Sequence, residues 1–251
     1  MTLLRAEGVS ASYADGAAPV LDGVSLELDK GQIVAVVGRS GCGKTTLLHV
    51  LAGLIEPAAG TVTLAGEDVT GRPGRIGYMF QDDLLLPNRT VIDNVCLPLE
   101  LVGMRRDQAR ERARGLLDRF GLAEVERAWP AQLSGGMRQR AALLRTYLMG
   151  TQAILLDEPF SALDAYMRRD MRAWLSELVG ELGLSVVLIT HDVDEAVALS
   201  DRVVVLAGEP AAGRPSTVAG VVDVPVARSS RHDFDLTDEF LACKREVMAL
   251  L

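Results

Sequence analysis

An α/β fold with a mostly parallel sheet and helices on both faces is the class this sequence predicts. Three observations point to it. Short, wholly apolar runs such as IVAVV (Ile33–Val37) suit strands covered on both faces. Helical spacings of leucine follow them, and this strand–helix alternation resumes after a long charged stretch that carries no strand signal.

Taken in order, the N-terminal part reads as β-rich. Residues 20–28 alternate apolar and polar side chains, and Asp29-Lys30-Gly31 supplies turn chemistry before the apolar run Ile33–Val37. A glycine-rich loop over 38–43 then leads into a predicted helix over 44–54, where Leu47, Leu48 and Leu51 fall on one face. Residues 61–64 and 75–79 are short strand candidates between glycine-rich turns. Between about 91 and 129 the β-branched runs disappear, and RRDQARERARGLLDRF predicts a charged helix over 105–120. That segment reads as a helical subdomain inserted into the α/β core. Beyond Pro130 and Gly135-Gly136 the pattern predicts helices over 137–148, 165–182 and 193–199. Strands over 153–156, 185–190 and 203–207 alternate with them. Residues 210–215 read as a surface turn and 235–251 as a terminal helix. The expected organisation is one domain over 1–251. Its β-rich core covers about 1–90 and 150–225, the helical subdomain about 91–149, and the C-terminal helix about 235–251.

Composition narrows the function. The chain has 251 residues, of which 49% are hydrophobic and 4% aromatic, so its core must rest on Leu, Val and Ala. Lys+Arg 26 against Asp+Glu 34 leaves a net charge of −8, which argues against a non-specific nucleic-acid surface but not against a local site for one small polyanion. Three scattered cysteines, Cys42, Cys96 and Cys243, have no zinc spacing. With neither a signal-like start nor an apolar run of bilayer length, the chain is expected to be reduced, cytosolic and soluble.

Three constellations carry chemistry. Gly38-Arg39-Ser40-Gly41-Cys42-Gly43-Lys44-Thr45 fits G-x-x-x-x-G-K-[ST] between a predicted strand and a predicted helix. In that setting backbone N–H groups can surround phosphate oxygens. Lys44 can reach the β- and γ-phosphates, and the Thr45 hydroxyl can ligate Mg²⁺. An ordinary glycine-rich turn would give no reason for Lys and Thr after the last glycine. Ile154-Leu155-Leu156-Asp157-Glu158 is an apolar strand ending in two acids. Asp157 suits Mg²⁺ through its water shell, and Glu158 suits polarisation of a water, although strand-end acids also serve as caps. Leu133-Ser134-Gly135-Gly136-Met137 offers a hydroxyl, two glycines and a helix start. Alone it would pass for an N-cap.

In this order the motifs resemble those of the ATP-binding subunits of ABC (ATP-binding cassette) transporters, over essentially the whole chain, with a P-loop NTPase core. GRSGCGKTT, from Gly38 to Thr46, is similar to Walker A, and Gln81 falls at the Q-loop. Ser134, Gly135 and Gly136 fall in the signature, and Asp157 and Glu158 in Walker B with its catalytic glutamate. SALD, ending in Asp164, is similar to the D-loop, and His191 falls at the switch histidine. The resemblance implies Mg²⁺-dependent ATP hydrolysis. Two copies would close head to tail, so that Ser134, Gly135 and Gly136 of one serve the ATP on the loop of the other. Glu158 and His191 would position the attacking water, Gln81 would contact Mg²⁺ or water, and Asp164 would sit at the interface between copies. Read from the residues alone, Asp164 is a helix N-cap. Tyr13 falls where the family stacks an aromatic on adenine.

The resemblance also implies separate transmembrane permease subunits, whose coupling helix would be received at 80–94 (FQDDLLLPNRTVIDN). A solute-binding protein would act indirectly, and the chain would lie peripherally on the cytoplasmic face of the membrane. Within importers, FQDDLLLPNRTVIDNV, LSGGMRQR and LITHDVDEAVALSDRVVVL most resemble the nitrate/sulfonate/taurine-type group, which also includes carriers of thiamine-precursor pyrimidines. The alternative is a soluble ABC ATPase without a transport role, working as a nucleotide-driven clamp. Such relatives usually carry coiled-coil insertions or two cassettes, and neither is present. Met137 departs from the glutamine usual at that place. Cys42, near a helix start, is expected to have a somewhat acidified thiol whose alkylation blocks ATP binding.

Overall fold

The computed structural model describes residues 1–12, 18–231 and 233–251. Its strands are β1 (Thr2–Ala11), β2 (Leu21–Asp29), β3 (Ile33–Val37), β4 (Ala59–Leu64), β5 (Glu67–Asp68), β6 (Gly77–Met79), β7 (Ala153–Asp157), β8 (Ser185–Ile189), β9 (Arg202–Glu209) and β10 (Arg214–Asp223). Its α-helices are α1 (Lys44–Leu51), α2 (Val91–Val95), α3 (Leu97–Leu101), α4 (Arg106–Leu117), α5 (Gly135–Tyr147), α6 (Ala165–Leu182), α7 (Val193–Leu199) and α8 (Asp238–Leu250).

The strands run β5-β4-β1-β2-β10-β9-β3-β8-β7-β6 across one sheet. From β9 to β6 every pair is parallel, with β3 held between β8 and β9. The β5-β4-β1-β2 part is antiparallel. All five residues of each of β3, β7 and β8 are buried, as an unbroken apolar run requires when both faces are covered. Side chains from the two faces of β3 enter different cores. Ile33 joins the helical side, together with Leu144 of α5 and Met171 and Leu175 of α6. Val34 and Val36 join α1 and the antiparallel strands through Leu47, Leu48, Leu4 and Leu26. Ala35 and Val37 meet α7 and α8 through Ala196, Val197, Phe240 and Val247.

Three strands, β1, the two-residue β5 and β10, lie outside the sequence expectations. β1 carries register shifts against β2 on both sides of Val9, so its buried positions lose strict alternation. β10 begins inside the predicted surface turn and bridges the two halves of the sheet, antiparallel to β9 and meeting β2 at Ser216 and Leu21. Only Ser216 and Val222 along it are buried, which leaves no apolar period to read. Helix ends follow local chemistry. Ser134 caps α5 by accepting from the Met137 N–H, and Asp164 caps α6 by accepting from the Met167 N–H. Gly183, at φ 62°, ends α6 in the left-handed conformation that glycine adopts without a Cβ clash.

Candidate functional site

The glycine-rich loop leaves β3 and turns directly into α1. Gly43 stands at φ 93° as the residue before that helix, and Gly41 at φ 77°. Gly38 is required by space. A Cβ there would stand 2.6 Å from both the Leu206 carbonyl oxygen and Cys42 Sγ. Lys44 is almost fully buried, and its ammonium donates to the carbonyls of Gly38 (2.8 Å) and Arg39 (3.1 Å). The cation therefore arches back over the loop that it follows in sequence. Arg39, Ser40, Gly41 and Thr45 are exposed around it, while Thr46 is buried beneath.

The strand-end acids stand beside this loop. Asp157 closes β7 nearly buried. It accepts from the Tyr78 hydroxyl at Oδ2 (2.9 Å), and the Thr45 side chain stands close enough to favour its charged form slightly. Burial pushes the Asp157 carboxyl above its ordinary range; the Tyr78 hydrogen bond opposes this and the adjacent Glu158 adds to it. Glu158 follows at φ 44°, a left-handed conformation unusual for a non-glycine residue, and its N–H donates to the Ile189 carbonyl. His191, just past β8, places Nδ1 3.0 Å from Glu158 Oε2. Gln81 Nε2 lies 3.3 Å from Ser161 Oγ, which in turn donates to the Glu158 carbonyl (3.0 Å). The structure thus links Asp157, Glu158, His191, Ser161 and Gln81 by successive chain or hydrogen bonds, with Thr45 beside Asp157.

Ser134, Gly135 and Gly136 take part in a different set of contacts. A Cβ on Gly135 would lie 3.1 Å from Leu163 Cδ2, and one on Gly136 3.1 Å from Met167 Sδ. The signature segment therefore packs on the start of α6, beside the Asp164 cap. The Met137 side chain packs against the helical-side core. Tyr13 lies outside the described residues.

One expectation is overturned. Cys42 is 1% exposed, and burial raises its thiol above the usual range despite the opposing Lys44 charge. Desolvation outweighs the helix start and the neighbouring cation, so the thiol is not acidified.

Sequence reasoning also passed over Tyr78, Ser161 and Arg168. Tyr78 reads only as part of a short strand, and its partner Asp157 lies 79 residues away. Ser161 opens the SALD string that was read for its aspartate. Arg168 donates to the Leu163 carbonyl and pairs with Asp192 at 3.5 Å, joining the start of α6 to the cap of α7. No local pattern signals a partner that far along the chain. The described residues hold no group of three or more His, Cys, Asp or Glu side chains that could hold a metal by themselves, so a cation here would share its ligands with a bound substrate. Oxygen donors on Thr45 and Asp157 fit a hard divalent ion used in that way.

Residues 21–161 match the family described as ABC transporter. The chain is 43% identical over 208 residues to the taurine import ATP-binding protein TauB of Yersinia pestis, across 83% of this chain and 81% of that protein. Among solved structures, cbiO1 from Clostridium perfringens, part of the ABC transporter complex cbiONQ, aligns with a TM-score of 0.73 at 26% identity. That alignment covers 81% of this chain and 84% of the other. The fold alone is shared with MJ1267, an ATP-binding cassette of an ABC transporter, at a TM-score of 0.80 and 21% identity over 100% of this chain and 98% of that one. The family match takes in both the glycine-rich loop and the strand-end acids, and this chain belongs to the ABC transporter family of ATP-binding subunits.

Proposed function

We propose that the chain is the ATP-hydrolysing, energy-coupling subunit of a membrane importer for a small solute of the taurine type. The observation that carries the site assignment is the pair of strand-end acids after β7, Asp157 hydrogen-bonded by Tyr78 beside Thr45 and Glu158 paired with His191. Lys44 is placed to meet the β- and γ-phosphates, at the mouth of the loop formed by Gly38, Arg39, Ser40, Gly41, Cys42 and Gly43. Thr45 and Asp157, with Gln81, would hold Mg²⁺, which when bound neutralises charge on the phosphates. Glu158 accepts a proton from, and orients, the attacking water, and His191 holds Glu158 in place while facing the γ-phosphate. The left-handed turn at Glu158 sets its carboxylate off the line of β7, which supports this role over that of a plain strand cap.

Gly135 and Gly136 pack on Leu163 and Met167 at the start of α6. Ser134 is exposed at the start of the 13-residue helix α5, available to the phosphates held by a second copy. The reading includes closure of two copies, with Asp164 and Tyr13 assigned to the shared site. Permease docking is assigned to the loop before α2, where Phe80, Leu84 and Leu86 are exposed while Leu85 is buried. Arg145 of α5 donates to the carbonyls of Asp83 and Leu84, and Arg138 pairs with Asp83. Pressure on that loop therefore reaches the signature helix directly. No described helix is long and apolar enough to cross a membrane; the importer reading assigns the subunit a peripheral place on the cytoplasmic face, beside its permease. The net charge of −8 disfavours a non-specific nucleic-acid partner.

The test is reconstitution with taurine-type permease subunits and a taurine-binding protein, in vesicles holding ATP and Mg²⁺. Taurine uptake with wild type and its loss with Glu158→Gln, which still binds ATP, is the expected result. ATP turnover indifferent to the membrane partners and to every small sulfonate offered would overturn the importer reading.

A further inference from the structure

Tyr78 belongs to none of the motifs, yet its hydroxyl reaches into the site. It donates to Asp157 Oδ2 at 2.9 Å from the neighbouring parallel strand, where β6 pairs with β7. Asp157 is 6% exposed, so its oxygens must find their partners within the protein, and the Tyr78 hydroxyl supplies one at hydrogen-bond distance. The phenol is itself fixed. Its ring stands edge-on to Phe80, with centroids 4.5 Å apart, and tilted against His49 of α1 at 5.7 Å. A ring braced on two sides has little choice of where to put its hydroxyl.

We propose that Tyr78 is a positioning residue for the metal-binding carboxylate, holding Asp157 by Oδ2 so that the carboxylate faces Thr45 and the incoming Mg²⁺–nucleotide in one orientation. This rests on the assignment of Asp157 and Thr45 to Mg²⁺ made above. A carboxylate fixed before binding loses less rotamer freedom on binding, and a hydrogen bond to a charged acceptor is about twice as strong as a neutral one. The effect should therefore fall on the Mg²⁺-dependent part of nucleotide binding and leave the Mg²⁺-free part alone.

The experiment uses the full chain and a fluorescent ATP analogue, titrated first in EDTA and then at rising Mg²⁺. Tyr78→Phe keeps the ring contacts with Phe80 and His49 and removes only the hydroxyl. Its expected signature is EDTA affinity within about twofold of wild type, an unchanged thermal midpoint in EDTA, and about a tenfold rise in the Mg²⁺ concentration that gives half of the Mg²⁺-dependent gain. Asp157→Asn, run beside it, should abolish that gain. If Asp157→Asn abolishes the gain while Tyr78→Phe leaves its midpoint unmoved, the role of Tyr78 falls and the site stands. Equal weakening by Tyr78→Phe with and without Mg²⁺ also rejects the positioning role. A gain that survives Asp157→Asn removes the metal assignment itself.

Discussion

Lys44→Ala probes the loop at the point where the structure gives a magnitude. Lys44 is 7% exposed, and its ammonium already donates to the Gly38 and Arg39 carbonyls at 2.8 and 3.1 Å. Most of the cost of removing that cation from water is thus met by folding and not by binding. One phosphate charge about 4 Å away is worth about 4 kcal/mol at an effective dielectric of ~20. Giving up two carbonyl hydrogen bonds, at about 1 kcal/mol each, returns up to half of that. The net, about 2–4 kcal/mol, corresponds to roughly 30- to 1,000-fold in affinity. Fluorescent-nucleotide titration or calorimetry of wild type and Lys44→Ala measures it directly. Stability should change by less than about 1 kcal/mol, because the lost hydrogen bonds and the relieved burial of a charge oppose each other. Lys44→Arg should not restore binding, since a planar fork does not fit where a compact ammonium arches between two carbonyls. Affinity of Lys44→Ala within about threefold of wild type would refute the reasoning.

The other predictions concern groups whose ionisation the fold disturbs. Glu195 of α7 is buried, and desolvation, with the nearby Asp192 charge, pushes its carboxyl up to about 8. Its contribution to stability is complete below the unfolded value of about 4.5 and is lost as pH rises through about 8. Glu195→Gln should therefore leave the Tm nearly unchanged near pH 5 and raise it by several degrees above pH ~8; an equal shift at both would reject the assignment. Asp93 of α2 behaves in the opposite sense. Burial pushes its carboxyl up, but hydrogen bonds from Arg110 and Arg106 outweigh this and hold it below the usual range. Because both arginines keep a third or more of their side chains exposed, Asp93→Asn should cost only about 1–2 kcal/mol at neutral pH in urea unfolding. That difference should shrink as pH falls below the ordinary carboxylate range of about 4, since the unfolded carboxylate protonates there first and the native one only at lower pH. Finally, all three cysteines are buried, and the Cys42 thiol is shifted away from its reactive form. Thiol reagents at pH 7 should label Cys42 at least about tenfold more slowly than free cysteine. Rapid native labelling there would contradict the burial.

How much of this was legible in the chain depends on how local each signal is. IVAVV, the loop from Gly38 to Thr45 and the acids Asp157 and Glu158 are contiguous strings whose chemistry depends on neighbours one to eight residues away, so spacing alone determined them. The same holds for the caps Ser134 and Asp164, whose partners are three residues on. The strand β10 escaped because a strand buried at only two positions leaves no hydrophobic period. The acidified thiol expected at Cys42 failed because a loop's composition does not say how deeply its side chains sink, and burial outweighed two local effects of the other sign. Tyr78 was invisible for the reason that defines tertiary structure. Its hydroxyl acquires meaning only when parallel pairing of β6 with β7 brings it to an aspartate 79 residues away. Sequence by itself determined the fold class and marked which contiguous groups are candidates to meet phosphate. Only the packed sheet decided which neighbours hold those groups still, because rigidity comes from contacts that spacing along the chain does not encode.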